Sequence, residues 1–422
     1  MKIYALVLFV LMYVLMIALP KYRPLYAIAT AIVFVVSGVM PITDLFGVIN
    51  WNVILMITGT MVIVHYFIAS QMPSLLADLL LKRSKNAMLV TILMSLFAGV
   101  ISAFIDNVAT VLMVAPVGLA ICRKLKINPV GMILSIAVSS NLQGAATLVG
   151  DTTSIMLGDY ANMSFTDFFW MHGRPGIFFA VELGALATVP IMMLLFRKNK
   201  EPVSSMGKTE VKNYVPTVML FSMVLGLIVA SFIPNAPSLT NGIICCVIAA
   251  VTVITDVVQK RKWDGAGAAV KNIDYETLGL LIGLFVVIGG LTNVGVIDDF
   301  AWLITKIGKG NIFLLYSVVV WGSVLISAFV DNIPYVATML PVLTAVTNTL
   351  GIEPYLLYFG LLSGATLGGN ITPIGASANI TATGLLKKNG YNVSFKEFVR
   401  IGVPYTLVAV LAGYIFIWFV WA

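Results

Sequence analysis

Two short acidic segments carry the residue types for ion chemistry. Ser102-Ala103-Phe104-Ile105-Asp106-Asn107 runs on through Val111 to Pro116-Val117, and Ser327-Ala328-Phe329-Val330-Asp331-Asn332 runs on through Val336 to Pro341-Val342. Eight of their sixteen positions are identical, at a constant offset of 225 residues. Each places an Asp-Asn pair inside an otherwise apolar stretch. A carboxylate in hydrocarbon is costly, so an intramembrane acid marks a site. Two copies at a fixed offset point to a transporter built from repeats.

Two polar interruptions accompany the acids. The first reads Asn141-Leu-Gln-Gly-Ala-Ala-Thr-Leu-Val-Gly-Asp-Thr-Thr-Ser154, and the second Thr366-Leu-Gly-Gly-Asn-Ile-Thr-Pro-Ile-Gly-Ala-Ser-Ala-Asn379. They align at Gly144/Gly369, Thr147/Thr372 and Gly150/Gly375. Glycine lets a helix unwind, and Thr, Ser and Asn satisfy the freed backbone groups. Unwound carbonyls coordinate small cations, while half-helix N-termini turn positive dipole ends toward an anion. Gly, Ser and Thr also serve as ordinary packing residues between membrane helices. Packing alone does not account for four aligned polar stretches.

The acids sharpen the reading. Asp106, Asp151 and Asp331 are expected inside the membrane, with no Lys or Arg in the same motifs. Such an excess of buried carboxylate needs protons or Na⁺ for neutralisation. The halves differ, because Asp151 aligns with Ala376. The Asp151 side is therefore expected to hold the more tightly coupled cation. Glu182 is either a relay carboxylate or an outer-edge acid beside Arg174. His65 and His172 are weaker proton-sensing candidates. Trp51, Trp170, Trp321 and Trp421 fit an interfacial belt.

The elements that must position these residues are membrane helices. Of 422 residues 60% are hydrophobic and 10% charged, against roughly 25% charged in a soluble domain. The apolar runs approach the ~20 residues of a spanning helix, and no strand-like alternation suggests a β-barrel. The net charge of +7 sits between apolar runs as a topology signal, which argues against nucleic acid. Cys122, Cys245 and Cys246 lack metal-site spacing and act as small apolar residues. The run from Ile3 is read as the first span rather than as a signal peptide, being too long and lacking a small-residue cleavage site.

The first half offers apolar runs at Ile3–Leu19, Leu25–Met40 and Trp51–Ser70, an amphipathic piece at Pro73–Leu81, arms Ala87–Phe104 and Val108–Cys122 around the first acid, the interrupted run Pro129–Leu157, and Ile177–Phe196. The second retraces it with Tyr214–Phe232, Thr240–Val258, Tyr275–Leu291, amphipathic Ile297–Lys306, arms Phe313–Val330 and Ile333–Leu350, interrupted Pro354–Leu386, and Ile401–Trp421. Met163-Ser164-Phe165 and Val393-Ser394-Phe395 precede the last helix of each half. The division is thus a first repeat over 1–198, a polar cytoplasmic linker over 199–213, and a second repeat over 214–422.

Treating the segments around each acid as re-entrant hairpins gives each half five crossings. One face then collects 21 of the 25 Lys and Arg, leaving Lys2, Arg174, Lys306 and Lys309 opposite. The expected fold is an all-α polytopic membrane protein of ten spans and two re-entrant hairpins, with both termini outside. Five is odd, so the two repeats are inverted relative to one another.

These motifs resemble the ion transporter superfamily, which contains divalent-anion/sodium symporters, arsenite-efflux permeases, NhaD-type sodium/proton antiporters and the melanosomal P protein. The likeness covers essentially the whole chain. It is greatest to the arsenite-permease and P-protein branch, whose hairpin tips read S-A-F-x-D-N and whose second break reads G-N-x-T-x-I-G-A-S-A-N, here Gly369 to Asn379. The resemblance implies a scaffold domain that often dimerises and a transport domain that moves as an elevator. It implies a first ion site of Asp106, Asn107, Thr147, Gly150 and Asp151, and a second of Asp331, Asn332, Thr372, Gly375 and Asn379. Thr152 and Ser377 complete the candidate binding set. Na⁺ would sit at Asp106, Asn107 and Asp151, and at Asp331, Asn332 and Asn379. The symporters' S-N-T motif is Asp-Asn-Val and Asp-Asn-Ile here, and the branch's G-D-P-P-N is Gly150-Asp151-Thr152-Thr153-Ser154.

The expected function is ion-coupled (H⁺ or Na⁺) secondary active transport of a small inorganic or organic anion or oxyacid. The alternative is a sodium/proton antiporter. Arsenite is disfavoured because no cysteine lies in the motifs. An intramembrane aspartyl protease would need G-x-G-D, and Leu148 precedes Val149-Gly150-Asp151. A channel would use similar polar breaks. No nucleotide-binding loop of Walker type is present, so a primary pump would need a separate ATPase subunit. The chain reads as a transporter, not an enzyme, with Na⁺ as a candidate coupling ion and no other cofactor. Its partners are membrane lipids, the transported ion and a second copy of itself.

Overall fold

The computed structural model describes residues 1–81, 84–202, 209–211, 213–308 and 310–422. Lys82, Arg83, Lys208, Lys212 and Lys309, whose faces the sequence assigns, lie outside the described residues, as do 203–207 of the polar linker. The chain is mostly helical, at 77%. The helices are α1 (Lys2–Ala18), α2 (Arg23–Val36), α3 (Leu45–Val48), α4 (Trp51–Ala69), α5 (Met72–Leu81), α6 (Ala87–Ser102), α7 (Asn107–Leu125), α8 (Val130–Gly144), α9 (Thr152–Tyr160) and α10 (Ile177–Phe196). They continue as α11 (Val215–Ala230), α12 (Thr240–Lys260), α13 (Asp264–Lys271), α14 (Tyr275–Asn293), α15 (Val296–Gly308), α16 (Ile312–Ser327), α17 (Asn332–Leu350), α18 (Tyr355–Gly368), α19 (Ser377–Lys388) and α20 (Phe395–Trp421).

Among the described residues, seven helices are long and apolar enough to cross a membrane: α4, α7, α10, α12, α14, α17 and α20. Their burial is that of helices surrounded by hydrocarbon. On α12, Gly242, Cys245, Thr252 and Asp256 are buried while Ile243, Val247, Val251, Ile254 and Val258 are exposed. Small and polar groups face the bundle and large apolar ones face outward, the reverse of a water-soluble helix.

Three expectations need correction. The chain is not wholly α-helical, because Trp170–Met171 (β1) pairs antiparallel with Arg174–Pro175 (β2) across the tight turn at His172 and Gly173, both at positive φ. The pieces before α10 and α20 also differ. Ser394 caps α20, accepting from Glu397 N at 3.2 Å, so that helix starts at Phe395 rather than Ile401. Ser164 instead donates to Asp167 Oδ2 at 2.6 Å and closes a short turn ahead of the β-hairpin. Finally, Arg174 does not meet Glu182; it donates to Val420 O at 3.0 Å and lies over the Trp421 ring.

The helices sort into two packing groups. In one, α4 packs on α12, α2 on α14, α11 on α12, and α1 on α2 and α14. In the other, α6 packs on α8, α16 on α18, and α10 on α20, with α7, α9, α17 and α19 filling the space between. Within the second group α6–α9 and α16–α19 follow one scheme. Four residues, 103–106 and 328–331, join α6 to α7 and α16 to α17. Asp106 and Asp331 cap the second helix of each pair, accepting from Val108 N at 3.0 Å and from Ile333 N at 3.1 Å. Asn is retained after each cap because its amide has work to do across the break.

The breaks repeat as well. α8 stops at Gly144 and α9 starts at Thr152; α18 stops at Gly368, passes a short 3₁₀ turn, and α19 starts at Ser377. Thr147 Oγ1 donates to Ala103 O, and Thr372 Oγ1 donates to Ala328 O. Gly150 is where the break presses on the tip: a Cβ there would stand 2.5 Å from Gly144 O, 2.6 Å from Ser102 O and 2.7 Å from Ala103 O. At Gly375 a Cβ would stand 2.6 Å from Gly369 O, 2.7 Å from Ser327 O and 2.8 Å from Ala328 O. Backbone oxygens cannot yield as side chains do, so G150A and G375A should each destabilise by ~1–3 kcal/mol. Gly384, inside α19 with open space around it, is the control. There Gly→Ala should stabilise slightly, by up to ~1 kcal/mol. Thermal unfolding of purified protein in detergent checks all three, and equal effects would refute the close-approach account.

Candidate functional site

The site grows from the two tips and the two breaks, and hydrogen bonds join all four. Asn107 Nδ2 donates to Asn141 Oδ1 at 2.9 Å. Asn141 Nδ2 in turn donates to Asn370 Oδ1 at 3.0 Å and to Thr366 O at 2.6 Å. Asn370 Nδ2 closes the chain on Val138 O at 3.1 Å. Thr153 and Thr366 hydroxyls meet at 3.0 Å, and Asn332 Nδ2 lies 3.4 Å from Asp151 Oδ2. The first tip thus binds the first break, the first break binds the second, and the second tip reaches back to the first. Asn141 and Asn370 are both fully buried. Amides at these positions carry both a donor and an acceptor, which a chain of this kind requires.

Around Asp106 and Asp151 lies a cavity of about 300 Å³. Its polar lining is Thr60, His65, Asp106, Asp151, Thr152, Asn272 and Asp274; apolar residues such as Ile57, Met61, Val64, Ile68, Leu112, Val149 and Ile155 make up the remainder. Three acids from three parts of the chain therefore share one space. Asp106 is held by Val108 N and Ala109 N, and Asp151 accepts from Thr153 Oγ1 at 3.1 Å. Asp274 caps α14, accepting from Thr277 N at 3.0 Å and Thr277 Oγ1 at 2.7 Å. No ion pair reaches any of the three among the described residues.

The second tip is different. Asp331, 3% exposed, is ion-paired to Arg23 Nη1 at 2.7 Å, and the arginine is itself only 12% exposed. Ser377 Oγ donates to the same Oδ2 at 3.2 Å. This corrects, for Asp331, the expectation that the buried acids are neutralised by protons or Na⁺. Arg23 is not in a solvated loop; it is the first residue of α2, and its side chain reaches in to the tip. The motifs around Asp331 contain no base, so the pairing comes from 308 residues away. Breaking such a buried pair from one side typically costs ~3–5 kcal/mol.

The remaining candidates fall into place in the second break. Asn379 Nδ2 donates to Gly369 O at 3.0 Å and Thr372 O at 3.2 Å, while its buried Oδ1 has no partner. Ser154, 225 positions earlier, donates to Gly144 O at 3.4 Å. An orphaned buried carbonyl oxygen beside unwound backbone is suited to a small cation. Asn332, by contrast, turns toward Asp151 rather than toward Asn379. The structure therefore does not gather Asp331, Asn332 and Asn379 around one point through their hydrogen bonds.

A family model described as citrate transporter matches residues 12–364. The chain belongs to the citrate transporter family. An uncharacterized transporter of Mycobacterium tuberculosis is 30% identical over 99% of this chain and 98% of its own length. An uncharacterized transporter of Synechocystis is 25% identical over 75% of this chain and 74% of its own. The human P protein is 26% identical over 76% of this chain and 48% of its own length, in line with the branch resemblance of the tip and break motifs. Among solved structures, the YdaH transporter of Alcanivorax borkumensis shares the fold, with a TM-score of 0.59 at 14% identity, over 89% of this chain and 86% of that one.

The protein is thus a transporter of the citrate transporter family, and its polar centre contains residues that motif reading does not reach. Asp274 and Asn272 precede α14 and look like ordinary capping and loop residues in the sequence. Their only signal is the Asp-x-x-Thr spacing of a cap. His65, a weaker proton-sensing candidate in the sequence, lines the cavity with Thr60, five residues before it in an apolar helix, and the packing of α9 against α4 brings both there. Arg23 follows Pro20 and precedes Pro24, a pattern that reads as a turn.

Asn141 is the hub of this citrate-transporter-family centre. The variant N141A should orphan Asn107 Nδ2, Asn370 Oδ1 and Thr366 O at once, at ~1–3 kcal/mol for each group left unsatisfied. A thermal midpoint measured in detergent should fall more for N141A than for N107A, whose loss leaves Asn141 its two other bonds. The reverse order would mean that the chain of amides does not hold the breaks together.

Proposed function

We propose that the protein is a secondary active transporter that couples H⁺ or Na⁺ to the movement of a small inorganic or organic anion. The single observation behind this reading is that Asp106 and Asp151 share a cavity with Asp274 and have no fixed counter-ion among the described residues. Ionised carboxylates in a low-dielectric cavity need a cation or a proton. Membership of the citrate transporter family makes a carboxylated anion the first substrate to try. The N-termini of α7, α9, α17 and α19, which follow the tips and breaks, supply positive dipole ends for such an anion.

The architecture that serves this function is two inverted repeats of five spans, each with a re-entrant hairpin and a broken helix. The group containing α1, α2, α4, α11, α12 and α14 is the scaffold, and the outward apolar faces of α11 and α12 suit lipid or a second copy of the chain. The group containing the tips and breaks moves against it as an elevator. Both groups sit in the cell membrane, with the basic face inside. Asp106, Asn107, Thr147, Gly150, Asp151 and Thr152 form the ion site of the first half; Asp331, Asn332, Thr372, Gly375, Ser377 and Asn379 are the matching candidate set of the second, where Arg23 is paired with Asp331.

A sodium/proton antiporter is the second reading. What favours it is the composition of the cavity, which holds three acids, one histidine and no Lys or Arg. An anion site without a basic residue must rely on bound cations and helix ends, whereas a cation exchanger needs only the acids.

Purified protein in proteoliposomes separates the readings. Labelled citrate should accumulate when a Na⁺ or proton gradient is imposed, and D106N and D151N should each lower the initial rate by about tenfold or more, equivalent to ~1.4 kcal/mol of lost coupling. Citrate uptake that is unaffected by either gradient would defeat the coupled-anion reading. Na⁺-driven proton movement without any anion, reported by an internal pH dye and lost in D151N, would establish the antiporter instead.

A further inference from the structure

The two acidic tips have the same local geometry and opposite charge balance. Both carboxylates cap the helix that follows, and both lie where a threonine of the neighbouring break reaches the tip carbonyls. On the first side a second acid, Asp151, is added, His65 lines the same cavity, and no Lys or Arg forms an ion pair with either acid among the described residues. On the second side the matching position is Ala376, and Arg23 enters from the first residue of α2. The first side holds two uncompensated carboxylates, and the second holds one carboxylate matched by one guanidinium.

Arg23 is built into place rather than draped over the surface. Pro20 and Pro24 bracket it, its Nε lies 3.5 Å from Met16 O, and its Nη1 lies 2.7 Å from Asp331 Oδ2. Tyr13 on the preceding helix donates within 2.7 Å of Pro334 O, so the same short piece of chain is pinned to α17 a turn beyond the tip. A guanidinium stays charged at any working pH and is the most weakly hydrated of the basic groups, which suits a permanent buried partner. A Na⁺ ion at Asp331 would have to displace it or share the same oxygen.

We infer that Arg23 is the resident counter-ion of the second acidic tip, filling the place a coupling cation would take, so that cation coupling is carried by the first half alone. The inference rests on the transport reading above and deepens it, because it fixes which carboxylates answer to the external cation. Arg23 is a positioning and charge-balancing residue here, not a group that touches the transported ion.

The experiment compares wild type, R23Q, R23K and R23Q/D331N, each purified in detergent, by thermal midpoint in NaCl against choline chloride at fixed ionic strength and pH. A cation that binds only the folded protein raises the midpoint in proportion to the sites it fills. R23Q should have a lowered midpoint in choline and a response to Na⁺ about twice as steep as wild type, from a second site. Adding D331N to R23Q should raise the midpoint in choline and remove the extra steepness, and R23K should stay near wild type in both salts. The inference is overturned if R23Q is no more Na⁺-responsive than wild type, or if D331N lowers the R23Q midpoint further. A wild type indifferent to Na⁺, with the R23Q gain and the D331N rescue intact, would leave Arg23 as the counter-ion and strike only the Na⁺ form of the transport reading.

Discussion

Every backbone group released where a helix stops inside a membrane must find a partner in the protein, and this protein meets that demand with one device used twice. A threonine in each break, Thr147 or Thr372, donates its hydroxyl to the alanine carbonyl of the facing tip, Ala103 or Ala328. A glycine three residues on, Gly150 or Gly375, lets the two backbones touch. Without that contact the tips would have unpaired carbonyls and no reason to stop where they do. With it, the N-termini of four helices and the side chains of two Asp-Asn pairs are brought to one polar centre. The amide chain through Asn107, Asn141 and Asn370 then ties the halves together. The polar centre is therefore a consequence of how broken helices are kept satisfied.

Charge is distributed over that shared frame unequally. Asp106 and Asp151 face a cavity that also receives Asp274, while Asp331 is closed off by Arg23 and Ser377. The frame repeats because backbone satisfaction is a local problem with a local answer. The charges do not repeat because the first break carries Asp151 where the second carries Ala376, and because the other helix group meets the two tips with different residues: α4 and the start of α14 beside the first, and the start of α2 beside the second. The two tips thus share their geometry and differ in their electrostatics.

This division also explains what the sequence reveals. The helices and breaks are legible to within a few residues, since apolar runs and Gly/Thr interruptions act over short stretches; Trp51, Ile177 and Thr240 begin helices where the runs begin. The tips and breaks are legible as a set because the offset of 225 makes each half a check on the other. Arg23, Asp274 and His65 carry no such signal. Each lies in a segment that makes local sense as a turn, a cap or an apolar helix, and each acquires its role from packing between groups far apart in sequence. The β-hairpin at 170–175 is missed for a related reason, since a pair of two-residue strands leaves no periodicity to find.

The contact between the two helix groups bears on how the proposed movement would be coupled to the ion. Among the described residues, polar contacts across it include Arg23 to Asp331, Tyr13 to Pro334 O and Thr338, Thr166 N to Ser231 Oγ, and the Asn50 and Asn52 amides to the Asp159 carboxylate. The last sits at the far end of α9 from Asp151, so α9 is fastened to α4 at one end and faces the α4 side of the cavity at the other. To carry Asp151 past α4, the protein must release Asp159 and draw two carboxylates along an apolar wall of Ile57, Val64 and Ile68. A charge-assisted hydrogen bond is worth only ~1.5–3 kcal/mol net, a cost thermal motion overcomes. An unneutralised carboxylate against hydrocarbon costs several times that. In the proposed movement the latches would set how fast the group moves, and occupancy of the acids whether it moves at all. A ligand shifts an equilibrium only by its differential affinity for the two states. In that proposal the difference lies in the wall: loaded, Asp106 and Asp151 would pass it, and empty, they would not.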